Sequence, residues 1–431
     1  MANPGDLRYR RRIVDDELDE LLASLPAVAI EGAKAVGKTA SASQRAATIH
    51  RLDDPAEQSL AVADPRHLVD GPRPVLIDEW QRVPESWDLV RRAVDDPAGA
   101  QPASFLLTGS ATPTSPPTHS GAGRIVTVRM RTMTLAERGV ETPTVSVREL
   151  LAGEGPTLDG STSVDLENYV DEIVASGFPG LRGLTGRALR AQMDGYIERI
   201  VDRDFDEMGH RVRRPRTLRG WMTAYAAASS TSTSYEKIRD AATSGETEKP
   251  TRKATIPYRD ILERLWILDP VPAWLPTRSH LRRLSSPPKH QFVDPALAAR
   301  LLGVDAGTLL EAKPVGPPIP RDGTLLGSLF ESLVTLDVRV YAQAAEAATK
   351  HLRTASGEHE VDLIVERGDG RVLAVEVKLA RTINDRDIKD LLWLRDRIGT
   401  DLIDAIVIST GEAAYRRRDG IGVVPAALLG P

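Results

Sequence analysis

Ala27-Val28-Ala29-Ile30-Glu31-Gly32-Ala33-Lys34-Ala35-Val36-Gly37-Lys38-Thr39 decides how the N-terminal part of this chain folds. The apolar run Ala27–Ile30 reads as a buried strand, and it leads into Gly32–Thr39, a gapless match to GxxxxGK[ST]. Glycines let the backbone bend so that its N–H groups point at phosphate oxygens, and a helix continuing over Thr39–Ala47 adds its positive end. The expected nucleotide contacts are Gly32, Ala33, Lys34, Ala35, Val36, Gly37, Lys38, Thr39 and Ala40. Lys38 is expected to reach the β- and γ-phosphates, and Thr39 to hold Mg²⁺ through its hydroxyl. An ordinary glycine turn between strand and helix is the competing reading of this motif taken alone.

Two further runs bear on that choice. Pro74-Val75-Leu76-Ile77-Asp78-Glu79 is an apolar strand ending in two carboxylates. Asp78 is placed to orient Mg²⁺, and Glu79 to polarise the attacking water as general base. Phe105-Leu106-Leu107-Thr108-Gly109-Ser110 ends in hydroxyls, with Thr108 expected to sense the γ-phosphate. Such strands alternating with helical spacing, as in Ser86–Val94, predict a doubly wound α/β domain. Thr112–Gly123, rich in Pro, Thr, Ser and Gly, reads as an exposed loop. Hydrolysis calls for an arginine to neutralise developing charge. Arg124, Arg131, Arg138 and Arg203 are the candidates, with Arg124 preferred because it follows the Ser/Gly-rich loop.

The bulk numbers fit such a protein. At roughly 150 residues per domain, 431 residues suggest about three domains. With 41% hydrophobic and 27% charged residues the chain is globular rather than disordered. It has no cysteine, which excludes disulfides, thiolate metal sites and thiol nucleophiles. Its eight scattered histidines form no HExxH-like pair, which argues against zinc. The net charge of −5 hides basic clusters at Arg8–Arg12, Arg211–Arg219, Arg278–Arg283 and Arg416–Arg418, each readable as a solvated face. No apolar stretch approaches ~18 residues, and the charged start lacks a signal-peptide core. The expected location is the cytoplasm, with no membrane partner.

Beyond the first ~150 residues, Leu166–Glu207 reads as helical with a turn at Gly177–Gly180. Leu218–Ala228, Tyr235–Ala242 and Ile256–Leu268 are three further helix candidates, with Trp274–Phe292 as a strand-bearing appendage. They suit a winged helix, with Arg252, Lys253 and Arg259 near the start of a recognition helix. The polar stretch Thr243–Pro250 lengthens this region. DNA contact and protein docking are both open uses of such a module. A helix at Leu325–Ala345 precedes a hairpin, Glu360–Lys378, turning at Gly368-Asp369-Gly370. If that turn is centred on Asp369, Asp362 faces Glu376 across the strands, with Cβ atoms about 4.5–5.5 Å apart. Lys378 then shares their face. Asp followed by Glu-x-Lys is the layout of PD-(D/E)xK nucleases, where the acids hold Mg²⁺ and the lysine serves the nucleophile. Glu331 could supply another acid. A solvent-facing hairpin would carry the same residue types, so spacing alone does not separate the two.

Taken in order, these motifs resemble the prokaryotic AAA+-type ATPases that carry a winged helix-turn-helix and a C-terminal restriction-endonuclease-like domain. The matching pieces are Tyr9–Arg12, GAKAVGKT, LDDP at Leu52–Pro55, LIDEWQRVPE at Leu76–Glu85, LLTGSAT at Leu106–Thr112 and AGR at Ala122–Arg124. SGFPG at Ser176–Gly180, DRDF at Asp202–Phe205, PPKHQFVDPAL at Pro287–Leu297, GSLFE at Gly327–Glu331 and EVDLIVE with EVK at Glu360–Lys378 follow. Lys34 departs from the arginine more usual there. The resemblance implies an ATPase core at 1–150, a helical lid at 151–215, a winged helix-turn-helix at 216–310 and a nuclease-like domain at 311–431. It also implies a homo-oligomer, expected as a hexameric ring, using ATP and Mg²⁺ and acting on DNA. The alternatives are a nucleotide-switched DNA-binding regulator with a passive nuclease fold, and a protein-remodelling or scaffolding ATPase.

Overall fold

A computed structural model describes residues 9–96, 100–113, 120–212, 214–242, 252–274, 287–311, 315–317, 323–354 and 357–431. Thr243–Pro250, the cluster Arg278–Arg283 and most of the expected wing lie outside them, as do the side chains of Arg252 and Lys253. The chain divides into two compact units. The first comprises Met1–Arg131 with Glu207–Gly209 and Ile261–Ile267, and the second Thr132–Asp206, His210–Asp260 and Leu268–Pro431.

The first unit is built on a parallel sheet of β1 (Ala27–Glu31), β2 (Thr48–Arg51), β3 (Val75–Asp78), β4 (Phe105–Gly109) and β5 (Val126–Arg129). Their order is β2-β3-β4-β1-β5. The apolar runs of β1, β3 and β4 are buried on both faces, as central parallel strands are. One face carries Ala27, Ala29, Val75, Ile77, Phe105 and Leu107 against Trp87 and Val90 of the helix Glu85–Asp95. That helix overlaps the segment with helical spacing. The helix expected over Thr39–Ala47 is shorter, Lys38–Ser43, because the chain must turn back in time to enter β2 at Thr48.

The second unit holds a mixed sheet of β7 (Ala273–Trp274), β8 (Ala348–Arg353), β9 (Glu360–Glu366), β10 (Val372–Val377), β11 (Leu402–Ser409), β12 (Tyr415–Arg416) and β13 (Gly422–Pro425). Its order is β12-β13-β11-β10-β9-β8-β7. A separate pair joins β6 (Val145–Ser146) to β14 (Leu429–Gly430), so the C-terminal end is tied beside residue 145. Helices occupy Leu166–Ala175, Gly186–Arg199, Pro215–Ala227, Tyr235–Ala241, Pro295–Leu302 and the mostly buried Leu325–Ala344. The SGFPG and VDPAL segments meet structurally: Asp294 caps the helix Pro295–Leu302 and also accepts the Gly177 N–H at 2.7 Å. Among the described residues no helix is long and apolar enough to cross a membrane.

Candidate functional site

The strand order sets the site. β4 lies between β1, which feeds the glycine loop, and β3, which ends in Asp78, so three strand ends converge at one edge. Gly37 has a φ of 106°, a region side chains with a Cβ rarely adopt, and a Cβ on Gly32 would run into the carbonyl oxygen of Met130. Ala35 takes a φ of 67° and so carries local strain inside the loop. Arg12, in the segment before the first helix, braces the loop by donating to the Val36 carbonyl at 2.8 Å. Because the following helix spans only six residues, the loop amides rather than a macrodipole must do most of the cradling.

Lys38 is almost wholly buried and donates to the carbonyls of Gly32 and Ala33, both at 2.8 Å. Burial pulls its pKa down to about 8, with Glu79 acting in the opposite sense and Arg129 in the same sense. Thr39 Oγ1 donates to Asp78 Oδ1 at 2.7 Å, so a hydroxyl and a carboxylate oxygen already share one point. That donor pair suits an oxygen-loving Mg²⁺, which takes few protein ligands and keeps its other positions for water and phosphate. Burial also raises the Asp78 carboxyl.

Thr108, fully buried, donates to Asp78 and accepts the Glu79 N–H at 3.3 Å. Its hydroxyl therefore positions the two acids. Glu79 sits in left-handed backbone at φ 57°, and its carboxylate accepts from Ser110 Oγ at 2.6 Å and from Gln81. Lys34 points outward to Glu207 at 3.4 Å.

The arginines are placed unequally. Arg124 precedes β5, whose Val126 pairs with Val28 near the start of β1, the sheet end opposite the glycine loop. It ion-pairs with Asp95 at 3.0 Å. Arg138 is committed to the Met133 and Glu172 carbonyls, and Arg203 lies in a π-helical turn, Ile200–Asp204. Arg129, at the loop end of β5, was not singled out in the sequence. Its guanidinium lies 3.8 Å from the ring centre of Trp266, and its charge acts on both Lys38 and Glu31. The alternating pattern Val126–Arg129 was its only sequence trace.

In the second unit the hairpin has the register of a turn centred on Asp369, pairing Val372 with Glu366 through Val375 with Leu363. Asp362 and Glu376 come directly after the last of these pairs, and Asp362 Oδ2 accepts the Val377 N–H at 2.9 Å. Lys378 Nζ lies 2.6 Å from Glu376. A second lysine, missed in the sequence, completes the group. Lys289, 1% exposed and held by backbone pairing with Val271, reaches Glu331 at 2.7 Å, Asp362 at 3.0 Å and Glu360 at 3.4 Å. Burial raises Glu331 to about 8 and, helped by Asp362, raises Glu376 well above the usual range. Burial favours neutral Asp362, but Lys289, Lys378 and the Val377 N–H together outweigh it and hold that carboxyl low. A divalent ion fits this donor set poorly, because an ammonium already bridges three of its four acids. Glu376 Oε2, buried without a hydrogen-bond partner, is the oxygen left over.

Among the expected DNA contacts, Arg259 is paired with Asp260 at 2.8 Å and lies over the Tyr235 ring.

Comparison with known proteins bears on the first unit. Residues 24–138 match a family model described as an AAA domain. Residues 166–308 and 326–429 match two models described as domains of unknown function, DUF8612 and DUF4143. Uncharacterized proteins of Mycobacterium tuberculosis and Mycobacterium bovis are each 26% identical over 425 residues, covering 96% of this chain and 83% of theirs. Among solved structures, the Walker-type ATPase of Pyrococcus abyssi aligns at 17% identity and a TM-score of 0.39, covering 69% of this chain and 99% of that one. Residues 24–138 thus combine a match to an AAA domain with the strand-end geometry of a P-loop fold.

Proposed function

We propose that this chain is an oligomeric, Mg²⁺-dependent ATPase whose nucleotide cycle controls DNA binding or processing by its C-terminal half. The observation that carries the ATPase reading is the convergence of Lys38, Thr39, Asp78 and Glu79 at one sheet edge. Lys38 binds the β- and γ-phosphates, and Thr39 and Asp78 hold the divalent ion. Mg²⁺ held there would supply positive charge against the negative charge that develops on the phosphate oxygens. Glu79, steadied by Ser110, orients a water for in-line attack and accepts its proton as the bond to the γ-phosphorus breaks. ADP and phosphate leave. Arg124, remote from its own glycine loop, is assigned to a neighbouring subunit of a hexameric ring.

For the remainder, residues 151–215 are read as a lid, 216–310 as a winged helix-turn-helix and 311–431 as a nuclease-like domain. The helices Pro215–Ala227, Tyr235–Ala241 and Arg252–Arg264 and the Asp362/Glu376 hairpin support that reading. The bridging of three acids by Lys289 favours the second reading, a nucleotide-switched DNA-binding regulator whose nuclease fold is passive.

The experiment is calorimetry with ATP and Mg²⁺ on the full chain. Removing a hydrogen bond to a charged group costs about 1.5–3 kcal/mol, so Lys38→Ala weakens ATP roughly 10- to 100-fold. Unchanged affinity in the folded variant would remove the P-loop from nucleotide binding.

The pH dependence has a definite sign. Polyphosphate favours charged Lys38 and so raises its pKa in the complex above the free value of about 8. The lysine's contribution is therefore complete below pH 8. Affinity declines above that, by up to about tenfold per pH unit, until the pKa of the complex is passed. Titrations between pH 7 and 9.5 measure the slope, and a flat profile counts against a buried, phosphate-bound Lys38.

A further inference from the structure

The histidines that form no motif in the sequence do meet in the fold. His50 lies on the edge strand β2, opposite Ile77 of β3, and residues paired in this way share a face of the sheet. That face is covered by the helix Pro55–Ala63, through Ala61, and by the 3₁₀ turn Pro65–Val69, through Leu68. Glu57 projects from the helix and His67 from the turn. His50 Nδ1 is 2.7 Å from Glu57 Oε1, and His67 Nε2 is 3.5 Å from the same oxygen. The two rings stand perpendicular with centroids 5.0 Å apart. One ligand atom from each residue lies within 4.8 Å of the other two.

Two details point to a cation rather than to a chance cluster. His67 Nδ1 lies 2.6 Å from the Asp64 carbonyl, an acceptor only, so that nitrogen carries the proton and Nε2 presents its lone pair to the cluster. A ligating histidine is commonly fixed in this way, with its other ring nitrogen donating to a backbone carbonyl. In addition, His67 Nε2 is buried without a hydrogen-bond partner. A buried, partnerless nitrogen facing a carboxylate oxygen costs free energy unless something joins them.

We infer that His50, Glu57 and His67 form a divalent metal site of the zinc class, outside the phosphate site. Zinc bonds to nitrogen and carboxylate oxygen at about 2.0–2.2 Å, which sets tetrahedral ligand atoms about 3.4 Å apart. The His67–Glu57 separation of 3.5 Å already suits this, and the His50–Glu57 hydrogen bond of 2.7 Å opens by about 0.7 Å when the ion enters. Two imidazoles and one carboxylate suit Zn²⁺ far better than Mg²⁺, which takes oxygen ligands. Three protein ligands leave the fourth position to water. The ion fastens the edge strand to the helix and turn that lead towards the Asp78 strand.

The test is calorimetric titration of the chelator-treated full chain with Zn²⁺, in excess Mg²⁺ and without nucleotide. The expected result is one tight equivalent and a rise in the thermal midpoint. His67→Ala and the isosteric Glu57→Gln each lower that affinity by roughly 100-fold or more, beyond the cost of losing an outer-shell partner. Circular dichroism reports whether each variant is folded. In parallel, Co²⁺ in place of zinc gives the intense visible absorption of a four-coordinate ion in the parent protein and not in the variants. The site is overturned if the parent takes up no zinc. It is equally overturned if folded His67→Ala and Glu57→Gln bind as tightly as the parent, which would put the ion on other histidines.

Discussion

Glu79→Gln lowers ATP turnover by roughly 10²–10⁴-fold, the usual worth of a positioned general base, and leaves nucleotide affinity near that of the parent. The expectation follows from geometry. The Glu79 carboxylate ends β3 next to Asp78, but its own contacts are Ser110 and Gln81, neither of them a group expected on phosphate or metal. An amide of the same shape can still accept from Ser110 Oγ, so the left-handed backbone at residue 79 keeps its support. What is lost is the capacity to take a proton from water. Lys38, Thr39 and Asp78 are untouched, so ATP and Mg²⁺ still bind, and the complex accumulates. Single-turnover measurements separate the two effects. Turnover within a few-fold of the parent would take Glu79 out of the chemistry, and a matching loss of affinity would make its role structural.

How much of this could be read beforehand depends on the range over which each signal acts. The glycine loop, the strand-end acids and the hairpin are local devices. Gly37 must take positive φ, an apolar run of four residues must be buried, and a turn centred on Asp369 fixes every pair along β9 and β10. Such features are set within about fifteen residues of chain. The strand order, by contrast, is settled by crossovers, and it turned Thr108 into the residue that holds Asp78 and the Glu79 amide.

Long-range placements left little trace. His50, Glu57 and His67 come from a strand, a helix and a turn, with no spacing that would announce them. Arg129 was hidden in an ordinary strand pattern, while Arg124, the arginine the sequence favoured, emerged at the far end of the sheet. Lys289 sits in PPKHQFVDPAL, where it reads as one more surface cation. Only the pairing of residue 289 with Val271 carries its ammonium into the acids of the hairpin.

That lysine is the basis of the second large effect: Lys289→Met destabilises the second unit by about 3–5 kcal/mol near neutral pH, the cost of breaking a buried ion pair from one side. Methionine nearly matches the stem in volume, so packing changes little and the loss is electrostatic. With the ammonium gone, Glu331 and Asp362 lose the charge that offset them, and their folded-state pKa values rise above those of the unfolded chain. A carboxyl raised in this way gives its full stability below the unfolded pKa, near 4–4.5, and loses it as pH rises through the folded value. The deficit is smallest at low pH and widens as pH rises through the variant's raised Asp362 pKa, a carboxyl that Lys289 holds low in the parent, and then above about pH 8, where the parent's Glu331 ionises. Urea unfolding at pH 5 and pH 8, followed by hydrogen exchange at the β9 and β10 amides, resolves this unit from the other. If Mn²⁺ restores the variant but leaves the parent unmoved, the acids are a metal site that Lys289 closes. Equal stability of variant and parent at both pH values would mean that the three-acid bridge contributes nothing to the fold.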